Sequence, residues 1–189
     1  MTLLTTPKTC SLNLVLFSAL LGLAAPATVL AKQGAHVHGL VKINVAVEAK
    51  TLTVQVEAPL DSLLGFEHRP RTAAQKQAAQ TVLSQMKEGA TLIRPEAAAL
   101  CKPSKTTVEA AALEPAPATA TPGAKEEAHA DLDASFEFSC EQPDKLSYIE
   151  LGLFEAFKRI QTIEVQVAGA KGQSKLTLKR PNKLLKLRR

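Results

Sequence analysis

Beyond its first 31 residues the chain has no apolar run approaching the roughly 20 residues that a membrane-spanning helix needs, and it holds only three cysteines. It also lacks several catalytic signatures: there is no GxSxG elbow, no phosphate-binding P-loop and no HExxH pair. The first absence argues against a helical membrane protein. The motif absences remove the usual nucleophile, phosphoryl-transfer and zinc-protease readings. A hydrolase built on histidine and aspartate would have to draw its nucleophile from unremarkable serines, so the sequence points to a binding protein and not to an enzyme.

What the first 31 residues do contain is a leader pattern: one lysine (Lys8), no acid, an apolar run from Leu12 to Leu23 and small residues at the end. That is the layout of a cleaved secretory signal. Val29 and Ala31 place the cut after Ala31, with Ala27 as the alternative. The expected product, residues 32–189, is exported and large enough for one domain.

Cys10 leaves with the leader, and export permits Cys101 and Cys140 to form and keep a disulfide. Closing a loop of about 40 residues stabilises a fold by about 3 to 4 kcal/mol in the chain-entropy description. The net positive charge is concentrated at one end. The formal charge of +5 falls to +4 without Lys8, and KRPNKLLKLRR, residues 179–189, carries six cations, leaving the rest at −2. A nucleic-acid binder should instead carry its charge along a folded face. The basic tail reads as a solvated terminus in preference to a membrane contact.

The patterning predicts an α+β domain. From Val37 the chain alternates, with Val41, Ile43, Val45 and Val47 apolar and His36, His38, Lys42, Asn44 and Glu48 between them, which predicts a half-buried strand. A turn at Ala49 and Lys50 leads into a returning strand, Leu52 to Glu57, ended by Pro59. DSLLGFEHRPRT is a connection with one helical turn at Asp61 to Leu64. Thr72 and Gln75 form a capping-box pattern, and Ala73 to Lys87 places Ala78, Ala79, Val82, Leu83 and Met86 on one face of the main packed α-helix, with Gly89 suited to its exit. LIRPEAAALC reads as irregular or a short helical turn, and TTVEAAAL as a further strand. EPAPATATPGAKEEA, residues 114–128, reads as a disordered Ala/Pro-rich loop. HADLDASFEFSC alternates again, and LSYIELGLFEAF, TIEVQV and SKLTLKR complete an antiparallel-rich sheet, with a helical turn at Leu153 to Phe157.

If the apolar positions face a core, His36 and His38 project from the polar face, as do His129, Asp131 and Asp133. Side chains two apart on a strand lie about 7 Å from each other, a span two imidazoles can bridge to one ion. Should the two strands be neighbours, or their ends meet, these five residues would form one nitrogen and oxygen site of the kind zinc takes; copper, nickel and iron accept the same donors. His68, with Glu67 in GFEHRPR, is a second candidate ligand or a loop-fixing residue. The competing reading is an interaction or structural module whose histidines are incidental.

The succession HVHG, EAPLDSLLGFEHRPRT, HADLDASFEFSC and LFEAFKRIQTIEVQV resembles the ZrgA-type zinc-uptake accessory proteins over about His36 to Val167. That resemblance implies a periplasmic protein that binds Zn2+ and assists uptake by passing the ion to an ABC-type zinc transporter. By position it implies His36, His38, His129 and Asp131 or Asp133 as ligands, with His68 in reserve. Members of the family resemble one another further in a histidine-rich acidic loop between the cysteines. Here that stretch has no histidine, so the resemblance leaves metal binding to the folded part of the chain.

Overall fold

The computed structural model describes residues 37–114, 131–170 and 172–187. The leader, His36, His129 and nearly all of the Ala/Pro-rich stretch lie outside these residues. The expected hairpin forms as β1 (Leu40–Glu48) and β2 (Thr51–Pro59), paired antiparallel from Lys42 opposite Glu57 to Glu48 opposite Thr51. Its two-residue turn puts Ala49 at φ 48°. Strand β1 begins three residues later than the alternation predicts. Val37 is exposed, His38 and Gly39 form a turn, and Gly39 sits at φ +76°. The alternation therefore continues in the letters where the backbone has already left the sheet.

Helix α1 (Leu60–Leu64) follows directly and ends at Gly65, φ +84°. Helix α2 (Ala73–Lys87) has the bounds and the reciprocal Thr72–Gln75 capping box that the sequence predicts, and buries Ala79, Val82 and Met86. Gly89 does not close α2. It opens the short α3 (Gly89–Leu92), which runs into β3 (Ile93–Pro95). LIRPEAAALC is thus partly strand, and TTVEAAAL supplies only the end of β4 (Cys101–Glu109) before a single helical turn at Ala111–Leu113. HADLDASFEFSC gives β5 (Asp131–Cys140). Then come β6 (Tyr148–Leu151), α4 (Leu153–Ala156), β7 (Thr162–Gly169) and β8 (Gly172–Lys179).

The expectation of a solvated basic tail is overturned within the described residues. Leu184–Lys186 form β9, Leu185 is fully buried, and Arg180 donates to the carbonyls of Ile160, Phe154 and Phe157. The apolar Leu185 and Leu187 between the cations provide the packing that the charge count conceals.

Two sheets result, one of six strands ordered β4-β5-β2-β1-β7-β8 and one of three ordered β3-β6-β9. All pairings are antiparallel except β1 with β7. The fold is the antiparallel-rich α+β class that the patterning predicts. One face of the large sheet carries Ile43, Val54, Phe136 and Val165 into a core shared with Met86, Ile149, Phe154 and Leu185. The Cys101–Cys140 disulfide forms between directly paired residues of β4 and β5, with S–S 2.07 Å. Among the described residues, no helix is long and apolar enough to cross a membrane.

Candidate metal centre at one end of the large sheet

Strands β1 and β5 both pair antiparallel with β2, so they run parallel to each other and start where β2 finishes. Pro59 at the end of β2 is the register partner of Asp131 at the start of β5. Two strand spacings, about 10 Å, therefore separate the starts of β1 and β5. Strands β1 and β5 are thus not neighbours, but their starts lie at the same end of the sheet with β2 between them. His38 stands two residues before β1.

His38 does not lie on the sheet's polar face. In the turn it occupies, its Nδ1 is 2.6 Å from Oδ2 of Asp61, the second residue of α1. A carboxylate offers only acceptors, so this contact places a proton on Nδ1, and in the neutral imidazole the lone pair is then on Nε2. The His38 side chain is 72% exposed and that of Asp61 10%, a water-facing imidazole braced from beneath by a buried carboxylate. The turn is built for this contact. The Gly39 N–H donates to Oγ of the buried Ser62 at 2.9 Å, and the Gly39 carbonyl accepts from Gln161 and Thr162.

Asp61 is itself held from two further sides. Arg159 Nε donates to the Asp61 carbonyl at 2.8 Å, and Arg159 Nη2 lies 3.4 Å from Oδ1. Asp61, Ser62 and Arg159 are the residues that sequence reading missed. Asp61 and Ser62 look like the polar side of an ordinary helical turn, and Arg159 comes 98 residues after the aspartate it meets. Their contacts are set by the tertiary fold, and no local pattern in the sequence carries them.

The other candidates are placed as follows. Asp131 and Asp133 lie on the polar face as expected, Asp133 in register between Glu57 of β2 and Glu109 of β4. Glu57 also bonds Lys42 at 2.9 Å and holds that ammonium above its ordinary 10.5, with the charges of Asp131 and Glu164 adding to the effect. His68 belongs to the loop between α1 and α2. Its ring stacks on Phe66 at 5.1 Å, and its Nδ1 donates to the Arg69 carbonyl at 2.9 Å, which again leaves Nε2 free. The Arg69 guanidinium donates to the carbonyl of Glu114. Among the described residues, no three His, Cys, Asp or Glu side chains are grouped closely enough to hold an ion.

The family model described as "ZrgA family zinc uptake protein" matches residues 35–187. No curated protein matches the chain.

Proposed function

The chain belongs to the ZrgA family of zinc uptake proteins, and from that membership we propose that it is an exported, periplasmic zinc-binding protein that passes the ion to an ABC-type membrane transporter without catalysing a reaction. The observation that carries this reading is the 2.6 Å contact between His38 Nδ1 and Asp61. A histidine that ligates a metal through one ring nitrogen characteristically gives its other N–H to a carboxylate or carbonyl, which fixes the tautomer and raises the basicity of the ligating nitrogen. His38 has that arrangement with its free nitrogen toward solvent, as suits a cargo that must be released.

The proposed ligand set is His36 and His38, which precede β1 in the sequence, with His129, which precedes β5, and Asp131 or Asp133 of β5. His68, poised the same way by Arg69, is the reserve ligand. Purified protein should bind about one zinc ion in a calorimetric titration, and changing His36 and His38 together to alanine should remove the binding. An unchanged isotherm in that double variant would refute the site.

The second reading is an interaction or structural module without metal. Metal content after purification without an affinity tag separates the two. Zinc in proportion to protein supports the first, and metal-free protein that retains a polypeptide partner supports the second.

A further inference from the structure

Three segments far apart in sequence close around Asp61, and the contacts between them are specific in direction. The Asp61 carbonyl accepts from Gly65 N–H at 2.9 Å and from Arg159 Nε at 2.8 Å. Oδ2 takes the His38 proton while Oδ1 faces Arg159 Nη2 at 3.4 Å. Two glycines make room for this arrangement. A Cβ at Gly65 would lie 3.0 Å from the Arg159 guanidinium carbon, and one at Gly39 would lie 3.1 Å from the Arg159 carbonyl oxygen. Both glycines also hold left-handed backbone that other residues rarely adopt. The guanidinium reaches the backbone and the side chain of the same residue with two donors from one rigid plane, a fork that an ammonium lacks.

The geometry points to Arg159 as a positioning residue for His38: by gripping the Asp61 carbonyl and Oδ1, it keeps Oδ2 on the His38 Nδ1 proton and so commits the imidazole to presenting Nε2. The inference rests on the zinc reading for its purpose, but not for its existence. The same grip keeps Asp61 out of the coordination sphere. A carboxylate engaged on both oxygens and nine-tenths buried orients the ligand and does not become one. Release of the ion then requires only the surface imidazole to let go.

The experiment is long-range proton–nitrogen correlation spectroscopy of the imidazoles in purified, metal-free protein in mildly alkaline buffer, with the His38 signal identified by its loss in His38→Gln. The native protein should show His38 protonated on Nδ1. Arg159→Gln should shift it to a mixture of both tautomers, and Arg159→Lys, which keeps the charge without the fork, should fall between them. If Arg159→Gln fails to fold, the intermediate state expected of Arg159→Lys decides the matter. His38 already protonated on Nε2 in the native protein, or Nδ1 protonation unchanged in both folded variants, overturns the proposal. A zinc titration of the same samples keeps the two readings apart. About tenfold weaker binding in Arg159→Gln, of the size lost with outer-sphere partners, supports both. A tautomer shift without zinc binding in any sample sustains the positioning role and removes the zinc reading.

Discussion

A Cβ at Gly89 would stand 2.4 Å from Cδ1 of Phe136 and 2.9 Å from its Cε1. Helix propensity alone favours alanine over glycine by about 1 kcal/mol, whereas forcing a methyl group into a packed aromatic ring costs about 1 to 3 kcal/mol. The collision wins: Gly89→Ala should destabilise the protein by up to about 2 kcal/mol in urea unfolding, the collision less the propensity gain, and the penalty should shrink in a Phe136→Leu background. A stabilised Gly89→Ala protein would show that the ring moves aside freely. The same residue shows what local patterns convey and what they do not. Glycine after a helix is a sound signal for a stop, and α2 does stop there, but the need for glycine comes from a strand 47 positions away. His38 is the parallel case at the site. That a histidine stands near the start of β1 was legible in HVHG; its departure from the sheet depends on the left-handed Gly39 and on a contact with Asp61, neither of which alternation encodes.

At the level of elements, legibility follows burial. Helix α2 and strands β1, β2, β5 and β7 each set one face against the core, so their periodicity shows in the sequence. Strand β4 is exposed along most of its length, carries Pro103 and has a register shift between Pro103 and Lys105, the marks of an edge strand; it has no alternation to read. What holds it to the sheet includes the covalent bond from its first residue to Cys140. Replacing both cysteines by serine should lower stability by about 3 to 4 kcal/mol, the value for a closed loop of this size, and should accelerate amide exchange in β4 more than in the interior strand β2. Equal acceleration in both would mean that the bond stabilises the fold without specially tethering the edge. The cap of α2 is a smaller, independent contribution. Thr72→Ala should cost about 1 kcal/mol and leave zinc binding unchanged, because α2 supplies none of the proposed ligands.

Across the whole molecule, charge that looks like a dangling tail joins the second sheet to its surroundings. Lys183, just before β9, lies 2.7 Å from Glu150 of β6 and 2.6 Å from Glu155 of α4, and Arg94 of β3 reaches the same two carboxylates at 2.9 and 3.2 Å. Bonds from Lys183 and then Arg94 hold Glu150 down at about 2, from an ordinary 4.5, and lower Glu155 in the same way. A carboxyl group whose pKa is lower in the folded chain than in the unfolded one contributes stability that is complete above about 4.5 and is lost as the pH falls toward about 2, because over that interval unfolding takes up its proton. The Glu150 side chain is about one-third exposed, so water screens the pairs and the contribution is on the order of 1 kcal/mol. Glu150→Gln should therefore unfold more easily than the native protein at neutral pH, with the two stability curves drawing together below 4.5 and meeting near 2. Glu155 retains both cations in that variant, so some acid sensitivity should persist, and it should shrink further when Lys183→Met is added and Arg94 alone faces Glu155. Urea titrations at a series of pH values test this directly. A Glu150→Gln curve offset by the same amount at every pH would assign the loss to packing and not to the charge, and the basic residues before β9 would then owe their place to Leu185 alone.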